Sequence, residues 1–132
     1  MTTSAHTPDT TARSPLFSAL VGITTLLVLL QGLWAGLFLG GSSETFVTVH
    51  NWGGNLSLLT ALGATVAGYL QLRARRDLWV GALVLTLALV LEIGLGQAVD
   101  ASGGSTLALH VPLAMLIMGL AVWIPLRTRA RA

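Results

Sequence analysis

Two histidines stand sixty residues apart, His50 and His110, each five residues after a hydroxyl that can begin a helix, Thr45 and Ser105. Both fall inside long apolar stretches, where an ionisable side chain is costly and therefore marks a candidate site. Two imidazoles offered from two helices can clasp one metal centre between them or relay protons. Glu92 and Gln31 are the other strongly polar side chains embedded in apolar runs, with Asn51, Asn55 and Gln97 close by in sequence. His6 lies in a polar leader and reads as a solvated bystander.

The elements that must position these groups follow from composition. Only 9% of the 132 residues are charged while 54% are hydrophobic, which excludes a soluble domain with an ordinary charged surface. Four apolar blocks occupy about residues 15–39, 46–72, 78–99 and 106–126. Each has the roughly 20 residues needed to cross a bilayer. Short links between them predict an all-α, integral membrane, up-down-up-down four-helix bundle over 15–127. Residues 1–14 should form a disordered cytoplasmic tail, and 128–132 a short basic cytoplasmic one. The first block exceeds the usual 7–15-residue core of a signal peptide and no A-x-A-like site follows it, so a retained span is expected.

All seven basic residues are arginines: Arg13, then Arg73, Arg75 and Arg76 in the middle link, then Arg127, Arg129 and Arg131. The links at 40–45 and 100–105 carry none. The positive-inside rule then puts both termini and the middle link in the cytoplasm, in a cell (inner) membrane, with the histidine end external. The absence of cysteine excludes disulfides, thiolate metal sites and covalent haem attachment. No phosphate loop, His-Glu-x-x-His motif or Ser–His–Asp arrangement is present. Nucleic acid is not an expected partner, because the arginines are sorted by membrane side rather than gathered on one face.

Local signals refine the bundle. Ser14 with Pro15 starts the first helix, Ser43 or Thr45 the second, and Ser105 or Thr106 the fourth. Gly40-Gly41 and Gly103-Gly104 mark turns. His50, Gly53, Gly54, Ser57, Thr60, Ala61, Ala64, Ala67 and Gly68 form one stripe of small residues, and Gly32-x-x-x-Gly36-x-x-x-Gly40 forms another. Such stripes let membrane helices approach closely, and under a histidine they also leave room for a flat ligand. His110, Ala114, Ile117 and Ala121 share a face, as do Ala88, Glu92 and Gly96. A shift of sixty also aligns Gly36 with Gly96, which raises the prospect of a duplicated helical hairpin.

Depth can be counted at 1.5 Å per residue. Gln31 and Glu92 lie about 22 and 21 Å from the arginine ends of their helices, and both histidines lie about 7 Å from the opposite ends. All four then share one layer of a core about 30 Å thick. One non-covalent haem b held by His50 and His110 as axial ligands would use that layer, with Gln31, Glu92, Asn51 and Gln97 around it. No basic residue lies at that end for propionates, so Ser42, Ser43, Thr45, Ser102, Ser105, Asn51 and water would have to receive them. A cofactor-free alternative makes the histidines hydrogen-bonded structural groups of an accessory membrane protein, with Gly32 and Gly36 packing on a membrane partner or a second copy. A small proton-coupled carrier built on Glu92 is a third reading.

Gln31, Gly32, Gly36, His50 and His110 together make residues 16–126 similar to one half of the heme A synthase family, whose members join two four-helix halves with a histidine pair in each. With Gln97 added, the pattern Gln…Gly…His…Gln…His also resembles a family of small four-helix membrane proteins that better fits this length. The resemblance implies a haem-competent bundle. It does not carry over hydroxylation of a haem methyl: the glutamate one turn before the second-helix histidine is Val47 here, Glu44 lies six residues back, and the external cysteine pair is missing.

Overall fold

A computed structural model describes residues 14–99 and 101–129. Four helices follow in chain order: α1 (Pro15–Leu39), α2 (Thr45–Gln71), α3 (Arg76–Gln97) and α4 (Leu107–Arg129). The tail through Arg13, Asp100 and residues 130–132 lie outside the described residues. Helix α4 runs three residues past the expected end at 126 and takes Arg127 and Arg129 into its last turn, where cations favour a helix terminus.

Ser14 begins α1 as its sequence implies, with its hydroxyl accepting from Phe17 N at 3.0 Å and Pro15 in the first turn. The second and fourth helices start differently. Glu44 precedes α2 with no side-chain cap, and Ser43 Oγ instead accepts from Thr45 N at 3.2 Å. Ser102, rather than Ser105 or Thr106, serves α4 by accepting from Thr106 N at 3.3 Å. Gly41, Gly103 and Gly104 adopt positive φ, so the tight turns at this end depend on glycine.

Each helix packs on its neighbours in sequence, and α1 closes the ring against α4 along the loosest seam. The pairs are antiparallel. Ser14 Oγ donates to Gln71 Oε1 at one end of the α1–α2 pair, and Gln31 meets His50 near the other. Thr65 and Thr86 link α2 to α3 at 3.0 Å, and Thr25 Oγ1 donates to Ala121 O of α4 at 2.7 Å. Thr24 Oγ1 donates to Thr60 Oγ1 at 2.8 Å across the α1–α2 seam. Such bonds between membrane helices average about 0.6 kcal/mol each, so they set register more than they supply stability.

The small stripe of α2 is used for packing over most of its length. Gly53, Ser57, Ala61, Ala64, Ala67 and Gly68 are buried, and Phe17 and Trp79 close on Gly68 from α1 and α3. The α1 stripe does not behave this way. Gly32 and Gly36 are exposed, and nothing lies within 4 Å of where a Cβ would stand at either.

Large apolar side chains cover the outside, including Leu26, Leu29, Leu87, Leu91, Met115 and Leu116. Among the described residues α1, α3 and α4 are long and apolar enough to cross a membrane. Of the four blocks expected to cross, α2 falls short of the apolarity of the other three, and its first half carries Thr45, Thr48, His50, Asn51, Asn55 and Ser57. Its 27 residues nonetheless run antiparallel to α1 and α3 along their length. The chain is a membrane protein with lipid against its apolar flanks.

At the arginine end the bundle is locked by charge. Arg75 is buried, forks onto Asp77 through Nε and Nη2 at 3.2 Å each, and donates from Nη2 to Arg127 O at 3.0 Å. Arg127 adds an ion pair to Asp77 at 3.7 Å. One buried guanidinium thus ties the α2–α3 link to the end of α4.

Candidate functional site

The fully buried core stops at one height. Its last members toward the histidine end are Val28 on α1, Gly53 on α2, Leu89 on α3 and Ile117 on α4. Beyond them every described residue is at least partly exposed. His50, His110, Gln31 and Glu92 all lie above that height and are half-buried. The four groups expected in one layer do share it, one from each helix.

His50 stands in the second turn of α2, on the side facing α1. Its Nδ1 lies 3.2 Å from the backbone oxygen of Gln31. The Gln31 amide, oriented to satisfy its neighbours, donates to His50 O at 2.8 Å and accepts from Gly54 N at 3.1 Å, with its nitrogen also 3.1 Å from His50 Nδ1. Gln31 therefore pins the helix turn that carries the histidine. Both an acceptor and a donor face Nδ1, so either neutral tautomer of His50 is served. Phe38 meets the ring edge-on, with centroids 5.7 Å apart. Gly53 is indispensable to this arrangement, because a Cβ there would collide with Trp34 and with the Gln31 amide.

His110 repeats the arrangement from the other hairpin. Its Nδ1 lies 3.2 Å from the backbone oxygen of Glu92 and 3.1 Å from Glu92 Oε1. With the carboxylate ionised, two acceptors face this nitrogen; the proton then sits on Nδ1, and Nε2 of the neutral ring keeps its lone pair. The ring rests on the backbone of α3 at Gly96, where a Cβ would stand 3.2 Å from its Cε1. Glu92 Oε2 is buried, with no hydrogen-bond partner among the described residues.

The pattern is the same twice. A histidine early in an even-numbered helix turns Nδ1 to the carbonyl of a polar residue late in the preceding helix, 19 residues back for His50 and 18 for His110. The His50 ring packs against α1 and the His110 ring against α3.

Asn51 and Gln97 do not join them. Both are exposed, as is Asn55, whose amide donates to Asn51 O at 3.0 Å. Each sits at the right height on the wrong side of its helix: one residue rotates a helix position by about 100°, so Asn51 turns away from the side that His50 faces. Phe38 contributes to the site without an advance signal, because an aromatic near a helix end reads equally well as an interfacial anchor.

No group of three or more His, Cys, Asp or Glu side chains able to hold a bare metal ion occurs among the described residues. The donor set is two imidazoles, which suits a metal whose remaining ligands come with it. No family model matches the chain, and neither a curated protein nor a solved structure matches it. Chemistry at the two histidines therefore has to be judged on its own geometry.

Proposed function

We propose that the protein binds one haem b between His50 and His110, for electron transfer or haem handling. The observation that carries this reading is the matched engagement of both Nδ1 atoms by main-chain carbonyls. Ligating histidines almost always donate their second ring nitrogen to a carbonyl or carboxylate, which fixes tautomer and ring plane. His110 has both kinds of acceptor. His50 reaches the same state when Nδ1–H donates to Gln31 O, and Gln31 then holds the α2 backbone in place.

The residues present fit the group in other respects. The fully buried core ends below the histidines, and nothing stands within 4 Å of where a Cβ would lie at Gly32 or Gly36 of α1. When bound between two imidazoles, the iron supplies one-electron redox chemistry of the low-spin type. The chain's own residues orient the rings and wall off lipid. They also present hydroxyls at the rim through Ser42, Ser43 and Ser105, in place of the absent basic partners. The positive-inside rule supports a cytoplasmic (inner) membrane, both termini in the cytoplasm and the histidine layer in the outer leaflet.

A second reading is favoured by the open space beside Gly32 and Gly36. A cofactor-free accessory protein would dock a partner helix against that face, and the two histidine contacts would be structural. Titration of haemin into the purified protein separates the two. Saturation at one equivalent with a sharp Soret band, lost in both His50→Ala and His110→Ala, supports haem. A band that is broad, unsaturable and indifferent to both substitutions removes it in favour of the docking role.

A further inference from the structure

Helix α2 presents a largely apolar stripe to the outside of the bundle. Thr48, Trp52, Asn55, Leu59, Leu62 and Val66 are all exposed and recur at alternating spacings of four and three residues. That is the spacing of a coiled-coil seam, in which one helix accepts a second along a continuous stripe. None of the other three helices of the bundle occupies it.

Asn55 interrupts the otherwise apolar stretch. It stands ten residues into α2, about 15 Å from the end of the helix and so near the middle of a core about 30 Å thick. Its amide donates to Asn51 O at 3.0 Å, and no other bond to its side chain is present among the described residues. A carboxamide facing hydrocarbon there keeps an acceptor and a donor unmet, which lipid cannot supply.

We infer that α2 is a homodimerisation helix, with Asn55 of one copy hydrogen-bonded to Asn55 of a second across a two-fold axis normal to the membrane. Three observations favour a second copy over an unrelated partner. A carboxamide is both donor and acceptor, so it is its own complement. Copies in one membrane share an orientation, so a two-fold along the membrane normal lays the seams parallel and in register, with Asn55 meeting itself. The same patch also holds both a knob and a hole: Trp52 is 72% exposed, and a groove of about 490 Å³ beside it runs between α1 and α2, lined by Leu27, Trp34, Leu56 and Leu59. An isologous contact requires that combination. A lone Asn in an apolar seam is also the residue that sets register and restricts oligomer number. The inference is independent of any cofactor.

Because the chain has no cysteine, single cysteines report the contact directly in native membranes. Disulfide-linked dimers are expected on mild oxidation of Trp52→Cys and Leu59→Cys. None above background is expected for Leu91→Cys on α3 or Met115→Cys on α4, which are equally exposed. In vesicles, Asn55→Leu should weaken association about 3- to 30-fold by energy transfer between labelled copies, while Asn55→Gln retains most of it. Crosslinking that is as strong at Leu91 or Met115 as on the seam, no crosslinking at the seam, or an association constant unchanged in Asn55→Leu would each overturn the inference. Leucine on a lipid-facing helix surface leaves the fold intact, which circular dichroism of each variant verifies.

Discussion

Replacing Gly96 with alanine should separate the stability of the bundle from the use of its histidine site. Gly96 is the penultimate residue of α3, where Gly→Ala gains only part of the roughly 1 kcal/mol of propensity it gains in a helix interior. Against this, the new Cβ would stand 3.2 Å from Cε1 of His110, 3.6 Å from Nδ1 and 3.9 Å from Nε2. Carbon pairs are comfortable at about 3.5–4.0 Å, so the ring must retreat by a few tenths of an ångström. That retreat stretches the Nδ1 contacts to Glu92, now 3.2 and 3.1 Å, toward the limit of a hydrogen bond, at a cost of about 0.5–1.5 kcal/mol. The two effects nearly cancel, and thermal stability should stay within about 1 kcal/mol of the parent. Haem affinity should not be spared, because an iron–imidazole bond cannot follow a displaced ring. Disturbing the groups that orient a metal ligand typically lowers affinity about 10- to 100-fold. Gly94→Ala is the control, two residues away with nothing within 4 Å of its Cβ position. The assay is haemin titration beside thermal unfolding in one detergent. Haem affinity unchanged in Gly96→Ala, or lost equally in Gly94→Ala, would refute the reasoning.

Glu92→Gln preserves a hydrogen-bonding group beside His110 and removes the charge of the carboxylate in its ionised form. Haem content should persist while the midpoint potential rises by tens of millivolts, read by redox titration; an unchanged potential would mean that Glu92 is neutral or remote from the iron. Arg75→Met deletes the fork onto Asp77 and the bond to Arg127 O together, with Arg127 left as a weaker partner for the carboxylate. Unfolding in detergent should be easier by about 2–3 kcal/mol, with haem binding at the opposite end little affected. Thr25→Val removes the 2.7 Å bond to Ala121 O on the loosest seam, and a loss of about 0.6–1.7 kcal/mol is expected by the same measurement.

Height was legible in the sequence and azimuth was not. Counting residues from the arginine and glycine boundaries placed Gln31, His50, Glu92 and His110 at one level, because rise per residue is fixed once a helix is granted. The haem reading also gathered Asn51 and Gln97 around that level, and the structure turns both outward. Which side of α2 faces inward depends on α1 and α3 jointly, through Phe17 and Trp79 closing on Gly68. A nearly uniform hydropathy around each helix hides that choice, since lipid and core are both apolar. The Gly32/Gly36 stripe was visible as a pattern, yet nothing in the bundle lies within 4 Å of a Cβ position at either glycine. Most elusive was the role of Gln31, whose backbone oxygen and side-chain amide both matter: no sequence pattern announces a main-chain acceptor. The heptad on α2 could be read from the sequence, but only the bundle shows that nothing in the same chain covers it.

The central claim is that His50 and His110 are the two axial ligands of one haem. Low-temperature electron paramagnetic resonance, with haem quantified as pyridine haemochrome on protein purified from haem-replete cells, tests it most directly. Expected is one haem per chain with a low-spin ferric signal of two imidazoles, converted to high spin or lost in either His50→Ala or His110→Ala. Colourless protein under those conditions, or a low-spin signal that survives replacement of both histidines, would contradict it.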